Sequence, residues 1–353
     1  MKSGKRIIII TPGFPANEQD TSCIPGLQVY VKALSRYHTE YEPVVITLQY
    51  PFTKEPYRWQ DVPVFPCGGR NRGGINRVLT WLHADKLFDE LAQEKMPSLV
   101  HSFWLNEACL AGIAKSAEYE IPHVSSILGQ DVLPANRYLR GLNLSRTMVV
   151  APSYFSLETL TSHTSLAHST VIPLGVDPDE LPVRTNAERD IDLLGVGSLI
   201  RLKHYEILVD VLSELKRNNP GIKAVIAGDG PEKPRLIELT EQYGLQDNIT
   251  FAGKLQRPEV LELMGRSRVL MHPSEIEGFG MVCAEALNMG MRVVSRRVGS
   301  VLEHPNWRYA NTMNEFFAQT TASLNEPQPA TQEVFFDIRQ CVNAYAELFE
   351  RLI

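Results

Sequence analysis

The chain has 353 residues, of which 44% are hydrophobic and 22% charged, a composition typical of a soluble globular protein. A single hydrophobic core stops growing at roughly 250–300 residues, so this length predicts two domains. The net charge of −6 argues against nucleic acid as the main binding partner.

The N-terminal residues do not have the pattern of a signal peptide. Basic residues precede the apolar run Ile7–Ile10, but Pro12 and Gly13 end that run too early. No stretch approaches the roughly 18 apolar residues of a membrane span. The five cysteines are scattered and lack metal-type spacing, which indicates reduced thiols. We therefore expect a cytoplasmic protein.

The first half of the chain has the pattern of alternating strands and helices. Residues 6–11 form a short β-branched run, typical of a buried parallel strand, and a loop leads from its end to Gly26. A helix and the strand 43–48 complete a βαβ unit whose loop lies where open α/β sheets bind ligands. Six or so strands predict a Rossmann-like sheet. The later ones are expected at 98–101, 123–128, 148–151 and 170–173.

The segment 67–77 contains four glycines and three arginines and leads into an apolar helical pattern. One interpretation is a solvated loop before an amphipathic helix. The other is a basic, aromatic edge that touches an anionic or lipid-borne acceptor, with peripheral contact to the inner face of a membrane. The sequence leaves both open.

The polar residues 178–190, with two prolines, predict a linker between domains. The alternation of strands and helices then starts again, which predicts a second Rossmann-like domain. A last amphipathic helix is expected from about residue 335 to 353. The predicted division is a first domain over 1–177, a second over 191–330, and a C-terminal helical segment over 331–353.

The stretch 274–287 has the strongest chemical signal. It follows an apolar strand, and helical spacing of apolar residues begins at Gly280. The backbone N–H groups of Gly278, Phe279, Gly280 and Met281 then lie at a helix N-terminus, which binds anions. Two acids, Glu277 and Glu285, fit beside an anion if they accept hydrogen bonds from hydroxyls. A phosphate with a sugar on either side meets both conditions.

A second signal lies between a strand and a helix at Gly195-Val-Gly197. It begins like a dinucleotide fingerprint, but Ile200 stands where the third glycine would be. Arg201 and Lys203 follow. Lys203 is interpreted as a point charge on a phosphate, against the alternative of a solvated lysine.

Three further patterns are weaker. His101 and Asp131 follow strands at the same edge of the first predicted sheet, and each is either structural or catalytic in an interdomain crevice. Gly228-Asp-Gly230 is interpreted as a turn. The acids of 177–179 are expected to bind no metal.

Together these motifs resemble the retaining glycosyltransferases of family 4, which have the GT-B fold. The resemblance implies two Rossmann-like α/β domains facing a cleft, with the C-terminal helix crossing back to the first domain. It covers the whole chain and is strongest over 170–305. The motifs that carry it are Glu277-Gly-Phe-Gly280 with Glu285-Ala-Leu287, and the segments 197–203, 227–231, 172–177 and 299–303.

The resemblance also implies residue roles. Lys203 and Arg201 would neutralise the diphosphate of a nucleotide-sugar donor, and the helix start at residues 278–281 would bind it. Gly26 would approach the diphosphate from the opposite side. Leaving-group charge would then be stabilised without a metal or other cofactor.

Glu285 would accept hydrogen bonds from the nucleotide ribose, and Glu277 would hold a hydroxyl of the donor sugar. The acceptor would be a glycan, a lipid-linked molecule or a small molecule. The chain departs from the family pattern at Leu128, in place of a histidine, and at Ser198, in place of an arginine. These departures leave open a weak or silent nucleotide-sugar binding protein. A sugar-nucleotide epimerase or phosphorylase of the same fold is the other alternative.

Overall fold

The computed structural model describes residues 4–182, 189–329 and 334–353. The chain divides into two compact units, one formed by Met1–Gly175 with Phe336–Ile353 and the other by Val176–Phe335. Each unit is an α/β layer structure built on a mainly parallel sheet, as predicted.

The first unit contains eight strands and five helices among its described residues. The strands are β1 Lys5–Gly13, β2 Tyr41–Tyr50, β3 Tyr57–Trp59, β4 Val62–Pro66, β5 Leu99–Phe103, β6 His123–Ser126, β7 Thr147–Ala151 and β8 His168–Val171. The helices are α1 Pro25–Tyr37, α2 Ile75–Glu94, α3 Glu107–Tyr119, α4 Tyr154–Thr161 and α10 Ile338–Leu352, the last following α9 of the second unit.

The sheet of the first unit has the order β3-β4-β2-β1-β5-β6-β7-β8, and among its described strands only β3 and β4 pair antiparallel. The isoleucines of β1 show why the sheet needs helices on both faces. Ile7 and Ile9 pack with α1 and α10, whereas Ile8 and Ile10 pack with α2 and α3. All four are buried.

The second unit contains six strands and five helices among its described residues. The sheet is parallel throughout, with the order β11-β10-β9-β12-β13-β14. Its strands are β9 Ile191–Val196, β10 Ala224–Ala227, β11 Ile249–Gly253, β12 Ser267–His272, β13 Arg292–Ser295 and β14 Trp307–Tyr309. Its helices are α5 Glu206–Lys216, α6 Lys233–Gln242, α7 Arg257–Arg266, α8 Met281–Asn288 and α9 Met313–Asn325.

The C-terminal helix α10 returns to the first unit, which confirms this part of the predicted fold. Asp337 caps its start by accepting a hydrogen bond from the backbone N–H of Arg339. The apolar stripe seen in the sequence is buried against α1 and the sheet, and it includes Val342, Tyr345 and Phe349. Burial of these three large side chains fixes the helix to the first unit.

The predicted linker 178–190 is not a separate segment where it is described. Glu180 forms an ion pair with Arg257, and the Arg189 guanidinium donates to the carbonyls of Met264 and Met289 at 2.9 and 2.6 Å. All of these residues belong to the second unit, which begins at Val176. Residues 183–188 of the predicted linker, and 330–333 at the junction before the last helix, lie outside the described residues.

No helix in the described part of the chain is both long enough and apolar enough to span a membrane.

A buried histidine pairs with hydroxyl groups between strands of the first unit. His123 of β6 is 2% exposed, and its ring nitrogens lie 2.9 Å from Ser102 Oγ and 3.0 Å from Thr147 Oγ1. Burial disfavours the charged ring and lowers the pKa of His123 to about 3.

This burial predicts that acid destabilises the first unit. An unfolded histidine binds a proton below about pH 6.5, whereas folded His123 stays neutral down to about pH 3. The contribution of His123 to the free energy of unfolding is therefore fully present above about pH 6.5. It is lost as the pH falls, by up to about 1.4 kcal/mol per pH unit. His123→Gln should flatten this slope in denaturant titrations at several pH values. The exposed His163→Gln is the control, and equal slopes for the two variants would contradict the prediction.

Candidate active site

The loop after β12 and the helix that follows it form the centre of the site. β12 ends at His272, and α8 begins at Met281 with Gly280 as its N-cap. Gly280 has φ 87°, a left-handed conformation that side-chain-bearing residues rarely adopt, which explains the glycine here. Ser300 stabilises the loop by donating a hydrogen bond from its backbone N–H to the Phe279 carbonyl at 2.9 Å. The helix N-terminus is therefore held at the carboxyl edge of the second sheet, as predicted.

Glu277 lies in this loop between two cationic or proton-bearing groups. Its Oε1 accepts a hydrogen bond from Lys203 Nζ and lies 2.6 Å from His272 Nε2. Burial alone would raise the pKa of Glu277, but His272 and then Lys203 outweigh burial and hold it well below its usual range. Glu277 is consequently a permanent carboxylate, suited to accept hydrogen bonds and unsuited to donate a proton.

Lys203 reaches Glu277 because two loops of the second unit lie very close together. It ends the short 3₁₀ turn Arg201–Lys203, which follows β9. The backbone N–H of Leu199 donates to the Asp229 carbonyl at 2.9 Å, and that of Glu275 donates to the Leu202 carbonyl at 2.9 Å. These bonds attach the turn to the β10 loop on one side and to the Glu277 loop on the other.

Glycine is required where these loops meet. A Cβ on Gly228 would overlap the carbonyl oxygen of Gly197, and one on Gly230 would overlap that of Leu199. The interpretation of Gly228-Asp-Gly230 as a turn therefore holds, and the turn also supports the loop that carries Lys203.

Arg201 differs from Lys203 in its surroundings. Its side chain is exposed, and no ion pair of Arg201 is found with any residue that the structure describes. It remains a predicted contact of the diphosphate and takes no part in the Lys203–Glu277 pair.

Glu285 lies about one turn into α8 and is 6% exposed. Its Oε1 accepts a hydrogen bond from Arg257 Nε at 2.8 Å, and the same guanidinium pairs with Glu180. Burial raises the pKa of Glu285, and the charge of Arg257 opposes that rise. Arg257 thus holds two carboxylates at the start of α7.

Sequence reasoning missed three of these residues: His272, Arg257 and Glu180. His272 and Arg257 each lie at or just after the carboxyl end of a strand, and that position was the available signal. Glu180 falls in the segment predicted as a linker. Their partners lie 5, 28 and 77 positions away in sequence, so only the fold identifies the pairs.

His101 is a core residue, contrary to the prediction that it faces a crevice. It is fully buried in β5, with its ring nitrogens 3.1 Å from Tyr30 OH and 2.7 Å from Ser126 Oγ. Phe103 and Tyr345 pack on its ring. Burial holds the pKa of His101 well below its usual value, so the ring is neutral. Its role is to pack the core of the first unit.

Asp131 and Gly26 also lie in the first unit. Asp131 is 8% exposed and accepts backbone N–H bonds from Leu105, Leu128 and Gly129 at 3.0, 3.2 and 2.8 Å. Burial raises its pKa, against these bonds. Its carboxylate therefore orders two loops, which is a structural use of the residue. Gly26 is the second residue of α1, and its contact with a diphosphate stays a prediction.

Among residues 4–182, 189–329 and 334–353, no group of three or more His, Cys, Asp or Glu side chains is arranged to hold a metal ion.

Two family descriptions match the sequence in consecutive parts. The one described as "Glycosyltransferase Family 4" matches residues 24–180, and "Glycosyl transferases group 1" matches residues 177–304. A curated human relative, a component of phosphatidylinositol N-acetylglucosaminyltransferase, is 23% identical over 306 residues, covering 86% of this chain and 57% of that protein. The chain spans 32% to 62% of the length of its first curated relatives.

Solved structures show the same fold. A sucrose-phosphate synthase from Thermosynechococcus elongatus superposes with a TM-score of 0.78 at 17% identity, covering 99% of both chains. Anabaena Alr3699/HepE, solved in complex with UDP and glucose, has a TM-score of 0.73 at 18% identity, covering 99% of this chain and 100% of that chain. At 17% and 18% sequence identity, this structural similarity establishes that the chain has the GT-B fold.

The close approach at Gly228 predicts a sharp cost for any side chain there. Gly228→Ala should destabilise the second unit by about 3 kcal/mol or more, because the new methyl group meets backbone and cannot be accommodated by a rotamer change. Gly265→Ala in α7 is the matched control, since its Cβ would make only an ordinary contact with Met289 at 3.6 Å. Thermal unfolding of both variants measures the difference. Equal melting temperatures would show that the loops do not depend on this contact.

Proposed function

The chain belongs to the glycosyltransferases of group 1 and family 4, and from this premise we propose that it transfers a sugar from a nucleotide-sugar to an acceptor hydroxyl with retention at the anomeric carbon. One observation carries the proposal: a lysine, a permanently charged carboxylate and a helix N-terminus converge at the carboxyl edge of the second sheet. Such an edge is where α/β sheets bind nucleotides.

The donor is a nucleoside diphosphate sugar. Two solved structures of Anabaena HepE contain UDP with glucose or UDP-glucose, and the human relative is named for N-acetylglucosamine transfer. UDP and its sugars are therefore the first probes, and GDP and ADP sugars test the choice of base.

Lys203 stabilises the leaving diphosphate. In the described structure it pairs with Glu277, which carries one negative charge. A diphosphate carries more charge than one carboxylate, so Lys203 gains by turning to it, with the N-terminus of α8 stabilising the same anion. Arg201, exposed in the same turn, adds a second cation.

Glu277 and Glu285 accept hydrogen bonds from hydroxyl groups on the two sides of the diphosphate. Glu277 accepts a hydrogen bond from the donor sugar, and His272 keeps it oriented when Lys203 moves away. Glu285 accepts from the ribose, held in place by Arg257. Both carboxylates are largely buried, so leaving either one without a hydrogen-bond donor would cost binding free energy. A donor that presents hydroxyl groups at both positions is therefore favoured over one that lacks them.

The reaction breaks the bond between the anomeric carbon and the diphosphate oxygen. The acceptor hydroxyl attacks from the same side, forming the new carbon–oxygen bond, and its proton passes to the departing diphosphate. Electrostatic stabilisation of that anion lowers the barrier without a metal or other cofactor.

The acceptor belongs to a glycan or a lipid-linked molecule, and the enzyme acts in the cytoplasm. The human relative is named for transfer to phosphatidylinositol, which supports a lipid-linked acceptor. The five cysteines form no disulfide among the described residues, which fits a reducing compartment. The arginines of residues 67–77 supply a peripheral contact with the inner face of the membrane.

Lys203→Ala tests the proposed function directly. Removing one preorganised group that stabilises developing charge typically lowers turnover about 100- to 1,000-fold. The fold should persist, because Lys203 lies in a loop and Glu277 keeps His272 as a partner. Release of nucleoside diphosphate from a panel of nucleotide sugars measures the effect, with the α6 variant Lys233→Ala as control.

Unchanged turnover in Lys203→Ala would remove this residue from the diphosphate site. Binding of nucleotide sugar by the wild-type chain with no release of diphosphate to any acceptor would instead identify a silent binding protein.

Glu285→Ala should weaken binding of the nucleoside diphosphate by about 1–3 kcal/mol, because ribose hydroxyls lose their acceptor. Arg257 keeps Glu180 as a partner, so the fold should be retained. Glu285→Gln retains one acceptor oxygen and should lose less. Calorimetric titration with UDP compares the three proteins, and equal affinities would refute the assigned role.

A further inference from the structure

Two glycines at the end of β9 leave space for the side chain of Tyr205. A Cβ on Gly195 would lie 2.9 Å from the Tyr205 ring, and a Cβ on Gly197 would lie 2.9 Å from its hydroxyl oxygen. A glycine in a strand often marks such a close approach. The pair that begins like a dinucleotide fingerprint in the sequence therefore serves to pack this tyrosine.

The position of Tyr205 is fixed by its surroundings. It is the N-cap of α5, and it is 2% exposed in the core of the second unit. The ring nitrogens of His204, just before it, lie 2.8 Å from the Glu206 carboxylate and 3.2 Å from that of Glu275. These contacts hold the backbone on the α5 side of Lys203, so Lys203 can change partners by moving its side chain alone.

The hydroxyl group of Tyr205 is buried without a hydrogen-bond partner among the residues that the structure describes. Such groups are rare in folded proteins, because a buried hydroxyl that makes no hydrogen bond costs free energy. A phenylalanine would fill the same space without that cost. Packing of the second unit therefore does not explain why a hydroxyl group is present.

The titratable side chains that act electrostatically on this hydroxyl group are Glu277 and Cys283. A thiol is a weak acceptor of hydrogen bonds, whereas a carboxylate is a strong one. Burial raises the pKa of Tyr205, and the charge of Glu277 raises it further, so the hydroxyl group keeps its proton and can donate it in a hydrogen bond.

Lys203 and Tyr205 are neighbours above Gly197. A Cβ on that glycine would lie 3.9 Å from Lys203 Cε and 2.9 Å from the Tyr205 hydroxyl oxygen. In the described structure Lys203 donates to Glu277, and His272 lies against the same carboxylate oxygen. Departure of Lys203 would leave this largely buried carboxylate with one donor fewer, beside a hydroxyl group that has no acceptor.

We propose that the Tyr205 hydroxyl group is the donor that replaces Lys203 on the Glu277 carboxylate when Lys203 turns to the diphosphate. Tyr205 is then a positioning residue, which contacts no substrate and keeps Glu277 oriented together with His272. The proton stays on the Tyr205 oxygen throughout. The inference rests on the proposed function, because it requires Lys203 to exchange the carboxylate for the donor.

The first test is a cycle of thermal unfolding without nucleotide. Tyr205→Phe alone should leave the melting temperature unchanged or raise it, because the lost hydroxyl group has no partner. In the Lys203→Ala chain the hydroxyl group should already be bonded to Glu277. Adding Tyr205→Phe to that chain should therefore lower the melting temperature by about 2–4 °C.

Tyr309→Phe is the matched control in the same unit. The Tyr309 hydroxyl group donates to the Leu302 carbonyl at 3.0 Å, so its loss should lower the melting temperature equally with and without Lys203. A lower melting temperature for Tyr205→Phe alone would show that its hydroxyl group already has a partner. No effect of Tyr205→Phe in the Lys203→Ala chain would show that the group does not reach Glu277. Either result would overturn the proposal.

The second test is calorimetric titration with UDP. Tyr205→Phe should weaken UDP binding about tenfold, because the carboxylate that Lys203 leaves then lacks its replacement donor. The exposed Tyr243→Phe, at the end of α6, should bind UDP like the wild type. Equal affinities of Tyr205→Phe and the wild type would overturn the proposal. A wild-type chain that binds none of UDP, GDP and ADP would contradict the proposed function, whereas the unfolding cycle contains no nucleotide and decides the contact of Tyr205 with Glu277 separately.

Discussion

The carboxylate of Glu277, held between Lys203 and His272, is the interaction on which the site depends. It joins the loop after β9, which carries Lys203, to the end of β12 and the loop that follows β12. The close contact of Gly228 with the Gly197 carbonyl holds the loop after β9 against the loop after β10. A charged group that is largely buried, as this side chain is at 15% exposure, is stable only with partners. Under the proposed function Lys203 would leave Glu277 for the diphosphate of the donor while His272 stays bonded to Glu277, so binding would exchange one ion pair for another.

The main features of the fold were predictable because burial on both faces leaves a clear pattern in parallel strands. The run of isoleucines in β1 is an example. The apolar stripe of α10 is the corresponding pattern for a helix that buries one face. The short strands β3, β4 and β14, at or next to the sheet edges, escaped prediction, since three to five residues with prolines or aromatic residues carry no periodic signal. The second unit begins at Val176, just before the predicted boundary. The polar residues that follow were interpreted as a linker, because a polar composition does not show that Glu180 forms an ion pair with Arg257.

The part of the site that lies in one continuous stretch of sequence was predictable. Glu277 and the start of α8 lie together in sequence, and their local geometry follows from spacing. The pairing of Arg257 with Glu285 could not be inferred, because it depends on how α7 and α8 pack in the fold. His272 was missed although it ends β12 only five positions before Glu277. His101 shows the converse error: a histidine within a strand can lie in the core, and sequence position alone does not distinguish core from surface. Its neutral, buried ring is explained by packing against Phe103 and Tyr345.

The account rests on the claim that Lys203 exchanges Glu277 for the diphosphate of the donor. A crystal structure of the chain with bound UDP tests this most directly. We expect Lys203 Nζ within hydrogen-bonding distance of a diphosphate oxygen at the N-terminus of α8, and Glu277 still bonded to His272. A diphosphate bound elsewhere, with the Lys203–Glu277 pair intact, would contradict the account.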